Sequence, residues 1–170
     1  QMCIRDRYFP DLCSSNSDPR AKLLFIDGIQ WVKDAPDNSV DVIIVDSTDP
    51  VGPAEGLFNQ AFYKECLRCL GTNGILVQQS ESPLFHEDLI MDMHATMRSA
   101  GFSQTQTFYF PQCLYPSGWW SGTMASKGGL DGFREVAARQ APFESRYYNT
   151  DIHKAAFATP SFMKRRIAAL

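Results

Sequence analysis

Val40-Asp-Val-Ile-Ile-Val45 runs directly into Asp46-Ser-Thr-Asp-Pro-Val-Gly-Pro53, and these fourteen residues decide the fold. The first six are a short, nearly continuous β-branched run, the pattern of a strand buried on both faces. It stops at a carboxylate. Upstream, Lys22-Leu-Leu-Phe-Ile26 repeats the design and stops at Asp27-Gly28, which predicts a second buried strand. Ile29 to Ala35 then predicts a short helix with Trp31 and Val32 inward, followed by a turn at Asp37-Asn-Ser39. Downstream, Phe58 to Leu70 has helical spacing, with Phe58, Phe62, Cys66 and Cys69 or Leu70 on one side. Gly71-Thr-Asn-Gly74 is expected to stop that helix before a third strand, Ile75-Leu-Val-Gln78. Phe85 to Ala100 predicts another amphipathic helix, closed by Gly101. Such alternation of strands and helices indicates an α/β, doubly wound, mostly parallel sheet. Thr105 to Phe110 and Trp119 to Ser126, joined by a turn-rich loop, are expected to add an antiparallel edge. A tail from Tyr147 to Pro160 is aromatic and ends in a short basic helix.

Composition narrows the function classes. The 170 residues carry 16 basic and 19 acidic side chains, a net charge of −3. That balance gives no support to a nucleic-acid groove, which needs a basic stripe. No run reaches the roughly 18 apolar residues of a membrane span, and the start lacks a signal-peptide layout. Five unevenly spread cysteines fit a reduced, cytoplasmic protein. Cys66 and Cys69 have CxxC spacing without a second pair, so two small residues on a helix face is the better account. The three histidines form no ligand cluster. Trp119 and Trp120 are expected to serve packing. Tyr8 to Arg20 predicts a polar loop, and Gln1 to Arg7 shows no period and is set aside as a non-native leader.

In an open α/β sheet, ligands lie beyond the carboxyl ends of the strands. A single Asp there is most simply a helix cap or turn former. The octet Asp46 to Pro53 asks for more, because a simple turn requires neither the second acid, Asp49, nor both prolines. A stiff loop that concentrates carboxylates at a strand end suits gripping an ammonium group or taking a proton from one.

The octet resembles the signature loop of the spermidine synthases and related polyamine aminopropyltransferases. Asp27-Gly28 with Trp31, Gln79-Ser-Glu81, Tyr115-Pro-Ser-Gly118 and Tyr147-Tyr-Asn149 follow in the order that family shows, over residues 8–160, with a bacterial enzyme as the nearest likeness. The resemblance implies a Rossmann-like fold of the methyltransferase type and transfer of an aminopropyl group from decarboxylated S-adenosylmethionine to putrescine. It implies that Asp46 is the base, that Asp46, Ser47, Thr48, Asp49, Gln79 and Tyr115 bind the polyamine, and that Asp27, Gly28 and Pro53 bind the thioadenosine. Decarboxylated S-adenosylmethionine is then a co-substrate; no cofactor or metal is implied. A loop aromatic packed on the edge strands is the alternative account of Tyr115.

Family members carry a β-domain, a glycine-rich turn and a ribose-binding acid that have no counterpart here. Residues 8–170 are therefore expected to be the C-terminal part of a catalytic domain, inactive alone, from a parent that is a homodimer or homotetramer. An S-adenosylmethionine-dependent methyltransferase shares the fold and is one rival; a noncatalytic polyamine-binding member of the family is another. The doubly acidic octet and the tyrosine loop weigh against the first, and retention of Asp46 against the second.

Overall fold

The computed structural model describes residues 2–130 and 132–170. In chain order the helices are α1 (Met2–Tyr8), α2 (Pro10–Cys13), α3 (Gly28–Asp34), α4 (Gln60–Cys69), α5 (Glu87–Ala100), α6 (Glu135–Arg139), α7 (Thr150–Ala156) and α8 (Ser161–Ile167). The strands are β1 (Val40–Val45), β2 (Leu70–Gln79), β3 (Gln104–Pro111) and β4 (Trp119–Ser126). They form one sheet in the order β1-β2-β4-β3. β1 and β2 run parallel, and β4 pairs antiparallel with both β2 and β3. The class is α/β and Rossmann-like, with the β3–β4 hairpin as the expected antiparallel edge.

α3 buries Val32 as its spacing predicts but leaves the expected inward Trp31 exposed, at 37%; α4 and α5 sit where the apolar spacing puts them. α4 buries Phe62, Tyr63, Cys66 and Cys69 against Leu76 of β2, and α5 adds Met93, Met97 and Ala100 to the same cluster. Gly101 ends α5 with φ +112°, the left-handed cap that a side chain disfavours. α8 closes a second cluster, in which Met163 meets Ile90, Met91 and Tyr109. Arg68 of α4 secures α3. Its guanidinium donates to the carbonyls of Val32, Lys33 and Ala35 at 2.7–3.0 Å while pairing with Asp37 and Glu65. The carbonyls that α3 leaves open at its end are thus held by a fixed cation.

Four further expectations are corrected. Lys22 to Ile26 joins no strand and is not buried: Phe25 is 74% and Ile26 60% exposed. An apolar run becomes a strand only when another strand offers it hydrogen bonds, and none of those described lies beside it. Residues 71–74 do not form a stop, because α4 passes straight into β2, whose register to β1 shifts between Val40 and Val42. The chain folds so tightly on itself there that a Cβ at Gly74 would stand 2.7 Å from that of Leu70. Residues 2–8, in which the sequence shows no helical period, form α1. Finally, the loop over residues 8–20 is largely helical, since Pro10 presets the first turn of α2 and Ser14–Ser17 continues as a 3-10 turn.

Candidate active site

The carboxyl ends of β1 and β2 lie side by side, since the strands are parallel through Val45 and Gln78. Each delivers an acidic segment to the same edge, as the pleat and the parallel pairing require. Asp46 follows β1 and is exposed to solvent, not turned into the core. In the same loop Ser47 donates its hydroxyl to the carbonyl of Thr48 at 3.0 Å, and Thr48 and Asp49 are exposed. Gly52 turns the loop with φ +60° into a 3-10 helix, Gly52–Leu57, that carries Pro53 on its outer side.

Gln79 is the knot of the site. Its Nε2 donates to the backbone carbonyl of Ser47 and to Oε1 of Glu81, both at 3.2 Å. Its Oε1 accepts from the Glu81 backbone N–H and from the indole Nε1 of Trp120, both at 3.1 Å. All the hydrogen-bonding capacity of the amide's two donors is therefore committed to the protein itself. Gln79 ties the acidic loop of β1 to Glu81 and to β4, which makes it a brace for this end of the shelf.

Glu81 and Trp120 are the residues that the sequence reasoning missed. Glu81 is only 2% exposed and has φ +63°, an uncommon backbone for a glutamate. Burial, together with a hydrogen bond to Asp49, pushes its carboxyl up to about 7. Its other near neighbour is His86, whose Nδ1 stands 3.8 Å from Oε2. The available signal was position: Glu81 follows β2 by two residues, as Asp46 follows β1 by one. Trp119 does pack as expected, against Tyr109 and Phe162. Trp120 instead holds Gln79 through its N–H and carries the ring of Tyr115, with centroids 4.6 Å apart. Tyr115 is thus anchored by an aromatic at the site's edge, and half of its surface stays open. The loop bearing it is fastened by a Ser82–Ser117 hydroxyl bond of 2.8 Å, with Ser117 itself at φ +77°.

The end of the shelf around Asp27 is built differently. Asp27 caps α3, its Oδ1 accepting from the N–H groups of Ile29 (2.8 Å) and Gln30 (3.3 Å). The plain cap role is therefore present. Its second oxygen takes part in neither bond. Gly28 opens α3, and a Cβ there would meet nothing within 4 Å, so the space above it is free. The Pro53 helix abuts α3 at Gly56, where a Cβ would stand 2.8 Å from Ile29. Asp27, Gly28 and Pro53 thus belong to neighbouring elements but share no hydrogen bond with the Gln79 knot.

A depression of about 440 Å³ lies elsewhere, and one of about 250 Å³ beside the Ile29–Gly56 contact; neither is lined by Asp27, Gly28, Pro53, the octet's acids or the residues around Gln79. The site is an open shelf: on its sheet face Val42 and Ile44 of β1 are exposed, whereas Phe108 of β3 packs against Phe157. Cys66 and Cys69 are buried on α4, and no cluster of three or more His, Cys, Asp or Glu suited to a metal occurs among the described residues.

The model of the spermine/spermidine synthase domain matches residues 3–133. The chain belongs to the spermine/spermidine synthase family. That match begins inside the stretch set aside as a leader. Polyamine aminopropyltransferases of Methylococcus capsulatus and Thioalkalivibrio sulfidiphilus are 70% and 57% identical to it, over 94% and 96% of this chain. The chain spans only 56% and 59% of those relatives' lengths. Among solved structures, a spermidine synthase in complex with the transition-state analogue AdoDATO superposes with a TM-score of 0.87 at 32% identity, over 96% of this chain and 56% of that one. A methyltransferase from Archaeoglobus fulgidus, 14% identical with a TM-score of 0.51, covers 70% of this chain and 80% of that one, and shows the fold alone. No helix among the described residues is long and apolar enough to cross a membrane.

Proposed function

We propose that these residues carry the acceptor side and part of the donor side of an aminopropyltransferase. Its substrates are decarboxylated S-adenosylmethionine and putrescine, and its products spermidine and 5'-methylthioadenosine. The observation that carries this reading is the convergence of Asp46, Asp49 and Glu81 at two adjoining strand ends, braced by Gln79 and flanked by the Tyr115–Trp120 pair.

The chemistry follows from the charges. A primary amine is protonated at neutral pH and has no lone pair to give until a base removes the proton. Asp46, solvent-facing at the end of β1, takes that proton. The freed nitrogen then attacks the carbon bonded to the sulfonium; the new C–N bond forms as the C–S bond breaks, and the electron pair stays on sulfur as a neutral thioether. The sulfonium is already a cationic leaving group, so neither metal nor cofactor enters. Asp49 and Glu81 face the diamine's other end, where an ammonium replaces the proton that Glu81 donates to Asp49. Ser47 and Thr48 line the same loop. Tyr115 offers its ring to the cationic chain, an attraction of about 1 kcal/mol. Asp27 presents its spare carboxylate oxygen to an exocyclic amine of the nucleoside above Gly28, with Pro53 as the opposite wall. The parent works in the cytoplasm as a homo-oligomer and binds no nucleic acid.

The test is a chimera in which residues 3–170 replace the matching part of the Methylococcus capsulatus relative. Spermidine production is expected, and Asp46→Asn is expected to lower turnover by about 100- to 10,000-fold with methylthioadenosine binding retained. An unimpaired Asp46→Asn chimera would remove the base assignment.

A further inference from the structure

Ser80 lies between Gln79 and Glu81, and the pleat turns its side chain to the opposite, helix-covered face of the sheet. There it joins a row of hydroxyls that leads to His94 of α5. The contacts are Ser121 Oγ to the Glu81 carbonyl (2.8 Å), Ser80 to Ser121 (2.9 Å), Thr123 to Ser80 (3.0 Å), Thr107 to Thr123 (3.1 Å) and His94 Nε2 to Thr107 (2.8 Å). Beyond the imidazole, Nδ1 meets Thr105 Oγ1 at 2.7 Å, and Thr105 accepts from Arg98 Nε at 3.1 Å. His94, Ser80, Ser121 and Thr123 are fully buried, and Thr107 is nearly so.

Each hydroxyl has one hydrogen, and that fixes the direction of the whole row. Ser121 gives its hydrogen to the carbonyl, so Ser80 must donate to Ser121. Thr123 donates to Ser80, so Thr107 must donate to Thr123. Thr107 then has no hydrogen left for the imidazole, and Nε2 must carry one. The ring is neutral, held well below the usual histidine range by burial, at about 4. Nδ1 is consequently bare and accepts from Thr105. Seven hydrogen bonds thus run head to tail from Arg98 to the backbone of Glu81, with no hydroxyl hydrogen left unused. Bonds aligned in this way polarise and strengthen one another.

We infer that His94, locked as the Nε2–H tautomer, is a positioning residue that acts through this row of hydroxyls to hold Glu81 in its left-handed backbone conformation and so aim its carboxyl at Asp49. The role in catalysis rests on the proposed amine site; the direction of the row does not.

The experiment uses the 170-residue chain. In ¹⁵N-histidine-labelled protein at pH 7, one ring is expected to show a protonated Nε2 and a strongly downfield, unprotonated Nδ1, and this pair of signals should vanish in His94→Phe. Glu81 is followed by its ¹³C carboxyl titration. Thr123→Val and His94→Phe are each expected to move that midpoint by about half to one pH unit, the size that one lost neutral hydrogen bond corresponds to. Thr123→Ser, which restores the hydroxyl, is expected to keep the wild-type midpoint. A proton on Nδ1 of His94 would overturn the inference even if no variant folds. So would a folded Thr123→Val protein with an unmoved Glu81 midpoint. Putrescine binding to the wild-type chain, measured by calorimetry, judges the amine-site reading separately, because neither NMR readout depends on it.

Discussion

The acceptor and donor sides of the shelf are held by opposite means. At the β2 end, Gln79, Glu81 and Trp120 are fixed by bonds that cross from strand to strand, and Ser80 anchors the same turn from below. At the α3 end, Asp27 bonds only to its own helix, and the segment leading to it, residues 22–26, pairs with no strand. At the first, side chains far apart in sequence hold the site residues themselves; at the second, Arg68 fixes only the far end of α3, and Asp27 is held by its capping bonds. The proposed amine-binding carboxylates are therefore set in place from several strands, whereas the proposed nucleoside contacts hang on a segment that pairs with no described strand.

The largest contrast is expected in stability. Leu76→Ala, in the packed sheet, should lower the unfolding free energy by about 2–5 kcal/mol, while Phe25→Ala should change it by less than about 0.5 kcal/mol. Urea titration of both would erase the distinction if Phe25→Ala proved as damaging as the core change.

Acid should expose the acceptor side next. His94 is neutral when folded and takes up its proton only near pH 4, against an ordinary value of 6.5. Below about pH 6.5 the unfolded chain binds the extra proton, so stability falls as pH drops from about 6.5 to 4, by about 3 kcal/mol in all. The slope between pH 6 and 5 should be roughly 1 kcal/mol per unit steeper in the wild type than in His94→Gln. Equal slopes would mean that the imidazole is reached by solvent. The smallest effect belongs to the donor side: Asp27→Ala should cost about 1 kcal/mol through loss of the cap, and Asp27→Asn almost nothing, because asparagine caps equally well. Thermal melts of the two variants separate the cap from any nucleoside contact, which Asp27→Asn would weaken without lowering the melting temperature.

What the sequence disclosed follows the same division. β1, β2, the β3–β4 hairpin and the helices α3, α4 and α5 are legible, because each is written in the spacing of its own apolar residues. The acidic octet is legible for a similar reason, being a contiguous run. Lys22 to Ile26 misleads, since a local run of apolar residues is silent about whether a neighbouring strand is there to receive it. Glu81 and Trp120 are hidden because their roles arise from contacts across 41 positions or between separate strand ends, as in the bond from Trp120 to Gln79. His94 looks isolated in the sequence, and its partners are threonines and serines whose types are too common to signal anything.

One flank of β1 faces no strand among those described, and Val42 and Ile44 of that strand stand 53% and 73% open. An unprotected border of this kind is a template for stacking one molecule on another into fibrils. Asp41 and Asp46 put two acidic side chains on that border, so the carboxylate proposed for deprotonation also acts as a gatekeeper of solubility. Concentrated stocks of Asp41→Asn should accordingly scatter more light than the wild type.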